Sequence, residues 1–315
     1  MRAFAIDQFG TQGSLHDLPV PAPQREEILV HVTVAGVNPV DWKVAEGKAG
    51  EQRHFPLILG QDFAGIAERL GESVQSFKPG DRVFGVARTY GAYSEYTVVP
   101  EHSQEEPVAP IPAGLSDEQA AALPTAGLTA LAALAAASLM HDAKLVILGA
   151  TGGVGGFATQ IAHQRGIRVI ATVHSGKEEL ARSLGAQEII PYDHADTVSA
   201  IRAMHPDGVD AVIDLVSNRD QIRAFVDVIR SGGRIVSTIG ALDEDWFSKR
   251  GIVAHNIVVA RTPQSSRESL ELLAQMVLDG QLRVDLADVK PLADADEALN
   301  LSKSGNVSGK LVLTV

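Results

Sequence analysis

Closely spaced glycines near the middle of the chain could hold a phosphate group. Three of them, spaced G-x-x-G-x-x-G, follow directly after the apolar run at 145–148. In such a turn the first glycine permits the sharp bend, the second admits a pyrophosphate, and the third lets helix and strand pack. A helix beginning there would point its free N–H groups at the anion. The predicted contacts are Gly149, Gly152, Gly153, Val154 and Gly155.

The residues after the next predicted strand, 168–173, could decide which dinucleotide binds. Where the ribose 2′-hydroxyl is free, an Asp or Glu about 20 residues past the turn usually accepts its hydrogen bond. Here the strand is followed by HSGKEEL, with no acid before Glu178. The hydroxyl of Ser175 and the ammonium of Lys177 suit a 2′-phosphate. We therefore expect NADPH as the cofactor; the alternative is that Lys177 is only a solvated residue at a helix start.

The elements around the glycine turn predict a parallel sheet. Between residues 145 and 260, about six short apolar segments alternate with helical patterns, which is typical of a doubly wound sheet. A helix is predicted over 219–230 and the sixth strand over 256–260. The carboxyl ends of such strands bind the cofactor. The contacts expected after the fourth and fifth strands are therefore Val216, Ile239 and Gly240.

The segments on either side of this block have a β-rich pattern. Residues 28–37 alternate and contain many β-branched side chains, and further short strand patterns follow, separated by Gly and Pro. The chain closes on another predicted strand, 309–315, which we expect to rejoin the first domain. The predicted domains are a β-rich domain from 1–122 and 263–315 and an inserted dinucleotide-binding domain over 123–262.

Composition excludes several classes of protein. A formal net charge of −12 argues against nucleic-acid binding, and the lack of Cys excludes disulfides and thiolate metal sites. The start, MRAFAIDQFG, lacks the apolar stretch of a signal peptide, and no apolar run reaches the roughly 18 residues of a membrane span. No Tyr is followed by Lys four residues later, which excludes a short-chain dehydrogenase. We expect a soluble cytoplasmic protein without membrane partners.

Taken together, these features resemble the medium-chain dehydrogenase/reductase superfamily, in particular its zinc-free quinone oxidoreductase branch, which is zeta-crystallin-like. The motifs that carry the resemblance are GVNPVDWK (36–43), FPLILGQDFAG (55–65), FKPGDRVFG (77–85), AALPTAGLTA (121–130), GATGGVG (149–155) and GKLVLTV (309–315). The resemblance covers essentially the whole chain. It implies an α/β protein with a GroES-like β-rich catalytic domain, an inserted Rossmann domain and assembly as a homodimer.

The resemblance also predicts that no metal takes part. Zinc-dependent relatives carry a Cys, a Gly-His-Glu motif and a third ligand on the following helix. The matching positions here are Asn38, Gln61 with Asp62, and Thr125. Asn, Gln and Thr make a poor zinc site. Hydride transfer without a metal is therefore expected.

The family pattern supplies the remaining candidate residues. Asn38 would lie beside the nicotinamide and donate its amide N–H to a substrate oxygen; alternatively it only holds the turn before Pro39. Asp41 is the second catalytic candidate and would order that loop rather than act as a base. The expected pocket residues are Trp42, Gln61 and Tyr93, although Trp42 and Tyr93 could be ordinary core. The further cofactor contacts implied are Thr125, Thr129, Tyr192 near the adenosine, and Lys310 closing over the site.

The function expected from these residues is NADPH-dependent transfer of hydride to a quinone or an α,β-unsaturated carbonyl compound. The cofactor supplies the chemistry, and the protein orients it and donates to the oxygen that gains charge. The alternative is a catalytically idle NADPH-binding protein that acts as a redox sensor or structural protein. Turnover of any quinone would separate the two.

Overall fold

The computed structural model describes residues 1–49 and 54–315, which divide into two compact units. The first unit contains residues 1–128 and 265–315, and the second contains 129–264. The chain therefore builds most of the first unit, then the second, and then returns to the first. The expected α/β class, with a β-rich domain and a parallel doubly wound sheet, is confirmed.

The strands and helices lie close to the positions predicted from the pattern of apolar and turn residues. The strands are β1 Arg2–Ile6, β2 Ser14–Asp17, β3 Glu27–Val37, β4 Leu57–Ile58, β5 Asp62–Leu70, β6 Arg82–Val86, β7 Tyr96–Pro100, β8 Val108–Pro110, β9 Lys144–Leu148, β10 Arg168–Val173, β11 Glu188–Pro191, β12 Val209–Asp214, β13 Ile229–Ser237, β14 Val253–Asn256, β15 Leu286–Pro291 and β16 Lys310–Thr314. The helices are α1 Pro39–Ala45, α2 Asp117–Ala122, α3 Pro124–Ala137, α4 Gly153–Gln164, α5 Glu178–Ser183, α6 Thr197–Met204, α7 Arg219–Arg223, α8 Glu244–Ser248, α9 Arg267–Leu278 and α10 Ala295–Ser304.

Strand β3 organises the first unit. It pairs antiparallel with β5, β7 and β16, so the last strand of the chain returns beside one of the first. Most of its side chains are buried, in agreement with its β-branched composition. Gly36 lets helix α2 pack closely on the strand, because a Cβ there would lie 2.2 Å from the carbonyl oxygen of Ala121. This packing fixes the carboxyl end of β3, where Asn38 follows.

The second unit is a parallel sheet with strand order β11-β10-β9-β12-β13-β14 in the described residues. The order reverses between β9 and β12, and ligands of doubly wound sheets bind at such a switch point, outside the carboxyl ends of the strands. Its core is formed by apolar side chains from the strands and the helices that cover them, such as Val146, Ile170, Val212 and Phe247.

Two predicted elements differ from the structure. The helix predicted over 219–230 stops at Arg223 and continues as a 3-10 turn to Val228, because the buried, β-branched Ile229 begins β13. The strand predicted over 256–260 instead covers Val253–Asn256. The side chain of Asn256 bonds both to the N–H of Leu242 and to its carbonyl, at 3.0 and 2.9 Å. These side-chain bonds mark the end of the strand.

Candidate active site

A sharp corner between β3 and α1 places Asn38. Pro39 occupies the first helical position, which its fixed φ favours. Asn38 keeps extended backbone angles, φ −130° and ψ 153°, and its N–H donates to Oδ2 of Asp41 at 2.8 Å. The Asp41 carboxylate therefore satisfies an N–H at the helix start and fixes the corner, the ordering role that the sequence predicted for it.

The side chain of Asn38 lies between a carboxylate and an ammonium group. Its Nδ2 donates to Oδ2 of Asp62 at 2.8 Å, and its Oδ1 accepts from Nζ of Lys310 at 2.5 Å. Nζ of Lys310 also donates to the carbonyl of Val37 at 2.8 Å. These opposite partners allow only one orientation of the amide. An amide nitrogen carries two hydrogens, and the bond to Asp62 uses one of them.

Asp62 anchors this arrangement from β5. Its carboxylate accepts from the N–H of Thr125 at 3.1 Å and from Oγ1 of Thr125 at 2.6 Å, besides the bond from Asn38. Burial raises the pKa of Asp62, although Lys310 and the donors of Thr125 and Asn38 oppose that rise. Burial likewise lowers the pKa of Lys310, opposed by Asp62 and Asp41. Each charge therefore depends on the others for its stability in the interior.

Asp41 and Tyr93 complete this buried network. The Tyr93 hydroxyl donates to Oδ2 of Asp41 at 2.9 Å, while Oδ1 of Asp41 has no hydrogen-bond partner in the described part of the chain. Burial, and after it the charge of Asp62, raise the pKa of Asp41 to about 7, against the lowering effect of Asn38 N–H, Tyr93 and Lys310. Burial and the carboxylate of Asp41 raise the pKa of Tyr93 well above its ordinary value.

The raised pKa of Asp41 predicts a pH-dependent stability. Between the ordinary pKa of 3.8 and about 7, the folded state keeps a proton that the unfolded state releases. The free energy of unfolding should therefore fall as pH rises through this window, by up to about 1.4 kcal/mol per pH unit. Asp41→Asn should lose that component, so wild type should weaken relative to the variant as pH rises. Urea unfolding of both proteins between about pH 4 and 8 measures it. Parallel stability curves would contradict the assignment.

The three predicted pocket residues have different surroundings. Tyr93 is fully buried, so its hydroxyl acts on Asp41 rather than on an open surface. Gln61 is 9% exposed, and its Oε1 accepts from Nε of Arg88 at 3.3 Å. Trp42 lines a groove of about 370 Å³ together with Glu46 and Lys303. None of the residues of the buried network lines that groove. Direct contact of these three residues with a substrate stays a prediction.

The turn after β9 has the backbone that a pyrophosphate requires. Gly149 adopts φ +86°, which favours glycine, and a Cβ on Gly155 would lie 2.1 Å from the carbonyl oxygen of Gly149. At Gly152, by contrast, a Cβ would meet only that carbonyl oxygen, at 3.6 Å. Gly152 is the N-cap of α4, whose first N–H groups lack partners within the helix. The residues present therefore fit a phosphate group at this turn.

The carboxyl ends of the neighbouring strands hold further predicted contacts. Val216 and Ile239 are 65% and 38% exposed, which is high for apolar side chains, and Gly240 has φ +72°. Exposed apolar side chains at this edge of the sheet suit the face of a bound cofactor. Thr129, on helix α3, is buried. Lys310, expected to close over the cofactor, has its ammonium buried beneath Asn38, and its contact with a cofactor stays a prediction.

Sequence reasoning missed an acidic residue that contacts the turn after β10. The N–H and the hydroxyl of Ser175 both donate to Oδ1 of Asp193, at 2.9 and 3.0 Å. Asp193 follows the neighbouring strand β11 and lies 18 residues beyond Ser175 in the chain. Because this acid lies so far along the chain, the residues that follow β10 in the sequence do not indicate it. Tyr192, next to Asp193, is half exposed, and its ring lies edge-on to His174 with centroids 5.9 Å apart.

The described residues form neither a metal-binding cluster nor a membrane-spanning helix. Within residues 1–49 and 54–315, no group of three or more His, Cys, Asp or Glu side chains is arranged to hold a metal ion. Nor does that part of the chain contain a helix that combines the length and apolar content needed to cross a bilayer.

Known proteins resemble this chain over its full length. A family model described as "Zinc-binding dehydrogenase" matches residues 184–313, and one described as "Alcohol dehydrogenase GroES-like domain" matches 24–113. The quinone oxidoreductase of Sus scrofa is 30% identical, covering 99% of this chain and 97% of the relative. The solved quinone oxidoreductase of Coxiella burnetii is 32% identical, with TM-score 0.91 over 100% of this chain and 99% of that one. The Escherichia coli quinone oxidoreductase, solved with NADPH, is 27% identical, with TM-score 0.90 over 100% of both chains.

Proposed function

The chain belongs to the zinc-free quinone oxidoreductase branch of the medium-chain dehydrogenase/reductase superfamily, and from this premise we propose that it transfers hydride from NADPH to quinones or enones. That it is an oxidoreductase dependent on a nicotinamide cofactor follows from the family. The choice of NADPH, the acceptor and the residues that act are our proposals. The Escherichia coli relative, which binds NADPH, supports the first of them.

The observation that carries this proposal is the amide of Asn38, held between Asp62 and Lys310. Zinc-dependent relatives have a metal ligand at this position. Here the same position holds a donor in one fixed orientation. A preorganised N–H is worth more to a developing oxyanion than a mobile one, because it needs no reorganisation during the reaction.

Each residue of the buried network has a defined part in this mechanism. A bound nicotinamide would supply the hydride. Asn38 donates its second amide hydrogen to the acceptor oxygen as negative charge develops on it. Asp62 and Lys310 hold that amide, and Asp41 holds the corner that carries it. The glycine turn binds the pyrophosphate and so fixes the cofactor.

The same arrangement selects the acceptor. A single neutral amide gives modest stabilisation to an oxyanion compared with a metal ion. Conjugated acceptors need less stabilisation of the developing negative charge, because their reduced forms are stable enolates or hydroquinones that take a proton from water. A simple ketone would pass through an alkoxide, which needs a metal or a strong acid. We therefore expect reduction of quinones or enone C=C bonds and little oxidation of simple alcohols.

A panel of acceptors tests this function. Purified protein is mixed with NADPH or NADH and with ortho-quinones, para-quinones, enones or simple alcohols, and turnover is read at the nicotinamide absorbance. Activity on at least one conjugated acceptor supports the proposal. Robust alcohol oxidation without activity on conjugated acceptors would refute it. Binding of NADPH without turnover of any acceptor would favour the idle cofactor-binding protein.

Lys177 should contribute to the choice of NADPH. It caps α5 in the turn that also carries Ser175, where the Rossmann fold places the adenosine ribose. Loss of one charge-assisted contact costs about 1.5–3 kcal/mol, or roughly 10- to 150-fold in affinity. Lys177→Ala should weaken NADPH by that factor and leave NADH almost unchanged, as measured by fluorescence titration. Equal weakening of the two cofactors would show that Lys177 does not reach the 2′-phosphate.

A further inference from the structure

A carboxylate occupies the place where the ribose 2′-position is expected. In Rossmann folds the adenosine ribose lies at the carboxyl end of the second strand of the sheet, here β10. Ser175 follows that strand, and both its N–H and its hydroxyl donate to Asp193, at 2.9 and 3.0 Å. The polar groups of Ser175 are therefore already hydrogen-bonded to the carboxylate of Asp193.

In NAD-binding Rossmann folds, the acid at this place follows the second strand of the sheet; here an acid reaches the same place from the neighbouring strand. The usual acid sits directly after the second strand and accepts from the 2′-hydroxyl. Asp193 comes two residues after β11, and β11 pairs in parallel with β10, so the carboxyl ends of both strands share one edge. The bond from Tyr192 N–H to the carbonyl of Val173, 3.0 Å long, holds the two segments together. The pairing of β11 with β10 thus places Asp193 near the position expected for the ribose.

The charges around Asp193 leave it ionised near neutral pH. Its burial alone would raise the pKa, but the N–H and hydroxyl of Ser175 and the ring of His174 outweigh burial and lower it. His174 and His194 approach Oδ2 at 3.7 and 3.8 Å. Glu178 adds a second carboxylate, which accepts from the N–H of Gly176 at 2.7 Å. An incoming 2′-phosphate therefore meets two carboxylates, besides the ammonium of Lys177.

We propose that Asp193 determines cofactor specificity: it moderates the preference for the 2′-phosphate, so that the protein accepts NADH as well as NADPH. A carboxylate accepts a hydrogen bond from the 2′-hydroxyl of NADH, whereas it repels a phosphate that carries about 1.5 to 2 negative charges. Lys177 acts in the opposite direction, and the two side chains together set the ratio. This inference rests on the proposed binding of a nicotinamide dinucleotide.

The test uses adenosine fragments, so that it does not depend on turnover. Calorimetry compares 2′,5′-ADP, which carries the 2′-phosphate, with 5′-AMP, which does not, on wild type and Asp193→Asn. Asparagine keeps an acceptor for Ser175 and removes only the charge. The variant should bind 2′,5′-ADP about 10- to 30-fold more tightly, as expected for loss of a like charge about 6 Å from the phosphate. The affinity for 5′-AMP should stay the same or weaken slightly.

Two further variants sharpen the result. Asp193→Lys should increase the preference for 2′,5′-ADP more than Asp193→Asn, because it replaces repulsion by attraction. Asp207→Asn is the matched control: it removes one exposed carboxylate from the turn before β12, at the amino ends of the strands, and should change neither affinity. The kcat/KM ratio for NADPH over NADH should follow the fragment affinities.

Several outcomes would overturn the inference. Equal changes for the two fragments, or no change in either, would show that Asp193 does not face the 2′-position. An unchanged ratio of the affinities for 2′,5′-ADP and 5′-AMP in Asp193→Lys would show the same. If wild type bound neither fragment, both this inference and the proposed function would fail. Fragment discrimination as expected, with no turnover of any acceptor, would leave the inference intact and refute only the proposed reaction. Thermal unfolding of each variant checks that the turn is intact.

Discussion

Replacing Asn38 by alanine is expected to lower kcat for quinone or enone reduction about 10²- to 10³-fold, which is roughly 2.7–4 kcal/mol of transition-state stabilisation. The amide is the donor that the buried network holds in one orientation, through Asp62 on one side and Lys310 on the other. Alanine removes the donor and leaves both partners in place. Because the glycine turn proposed to bind the cofactor is untouched, the affinity for NADPH should change little.

The measurement separates chemistry from binding. Single-turnover oxidation of bound NADPH gives the rate of hydride transfer, and a fluorescence titration gives the dissociation constant. Asn306→Ala is a matched control, because that asparagine is exposed after the end of α10 and should alter neither quantity. Thermal unfolding shows the temperature range in which the Asn38 variant is folded. Normal turnover in that range would remove Asn38 from the mechanism, and equal losses of rate and affinity would assign it to cofactor binding instead.

Replacing Lys310 by methionine is expected to destabilise the first unit by about 3–5 kcal/mol, since it leaves buried carboxylates without their cation. Lys310 is 4% exposed, and its ammonium donates to Val37 O and Asn38 Oδ1, while Asp62 and Asp41 supply the negative charge around it. Methionine approximates the length of the lysine stem, so the loss of packing is small beside the loss of charge. Without the ammonium, the pKa values of Asp41 and Asp62 should rise further, and the variant should recover stability as pH falls.

Urea unfolding of three variants tests this account. Adding Asp62→Asn to Lys310→Met should restore part of the lost stability, because it removes the carboxylate left uncompensated. Lys303→Met is the control: Lys303 pairs with Glu46 but its side chain is half exposed, and such pairs are worth about 1 kcal/mol or less. An equal loss in Lys303→Met and Lys310→Met, or no recovery in the double variant, would show that burial of Lys310 is not what makes it important.

The contrast between Lys303 and Lys310 shows what the sequence does not predict. Both precede or follow short apolar segments near the end of the chain, and nothing in their local pattern separates a buried ammonium from an exposed one. Lys310 was expected to close over the cofactor. In the structure β16 pairs with β3, with Leu311 opposite Val37, and this register brings Lys310 beneath Asn38. The register depends on a pairing across more than 270 residues of chain.

Local signals were enough for the elements that position the site. The glycine spacing after β9 and the alternation of β3 both correspond to structure at the predicted places. Each of these features depends on residues that are close together in the chain, so the local sequence is enough to predict it. The two errors, at 219–230 and 256–260, lie where tertiary contacts outweigh local propensity. The buried Ile229 starts a strand within the predicted helix, and the Asn256 side chain bonds to Leu242 at the end of another strand.

What the sequence determined by itself is the fold class, the family, the order of the elements, the glycine turn as a candidate phosphate site and Asn38 as a candidate catalytic residue. What only the tertiary structure decided is which polar groups meet. Asp62 and Lys310 flank Asn38, Tyr93 bonds to Asp41, and Asp193 reaches Ser175, in each case across 18 or more residues of chain. A charge far along the chain changes a pKa or an orientation only when strand pairing brings it within a few ångströms, because electrostatic and hydrogen-bond energies fall steeply with distance. Residue types and spacing carry no such distances.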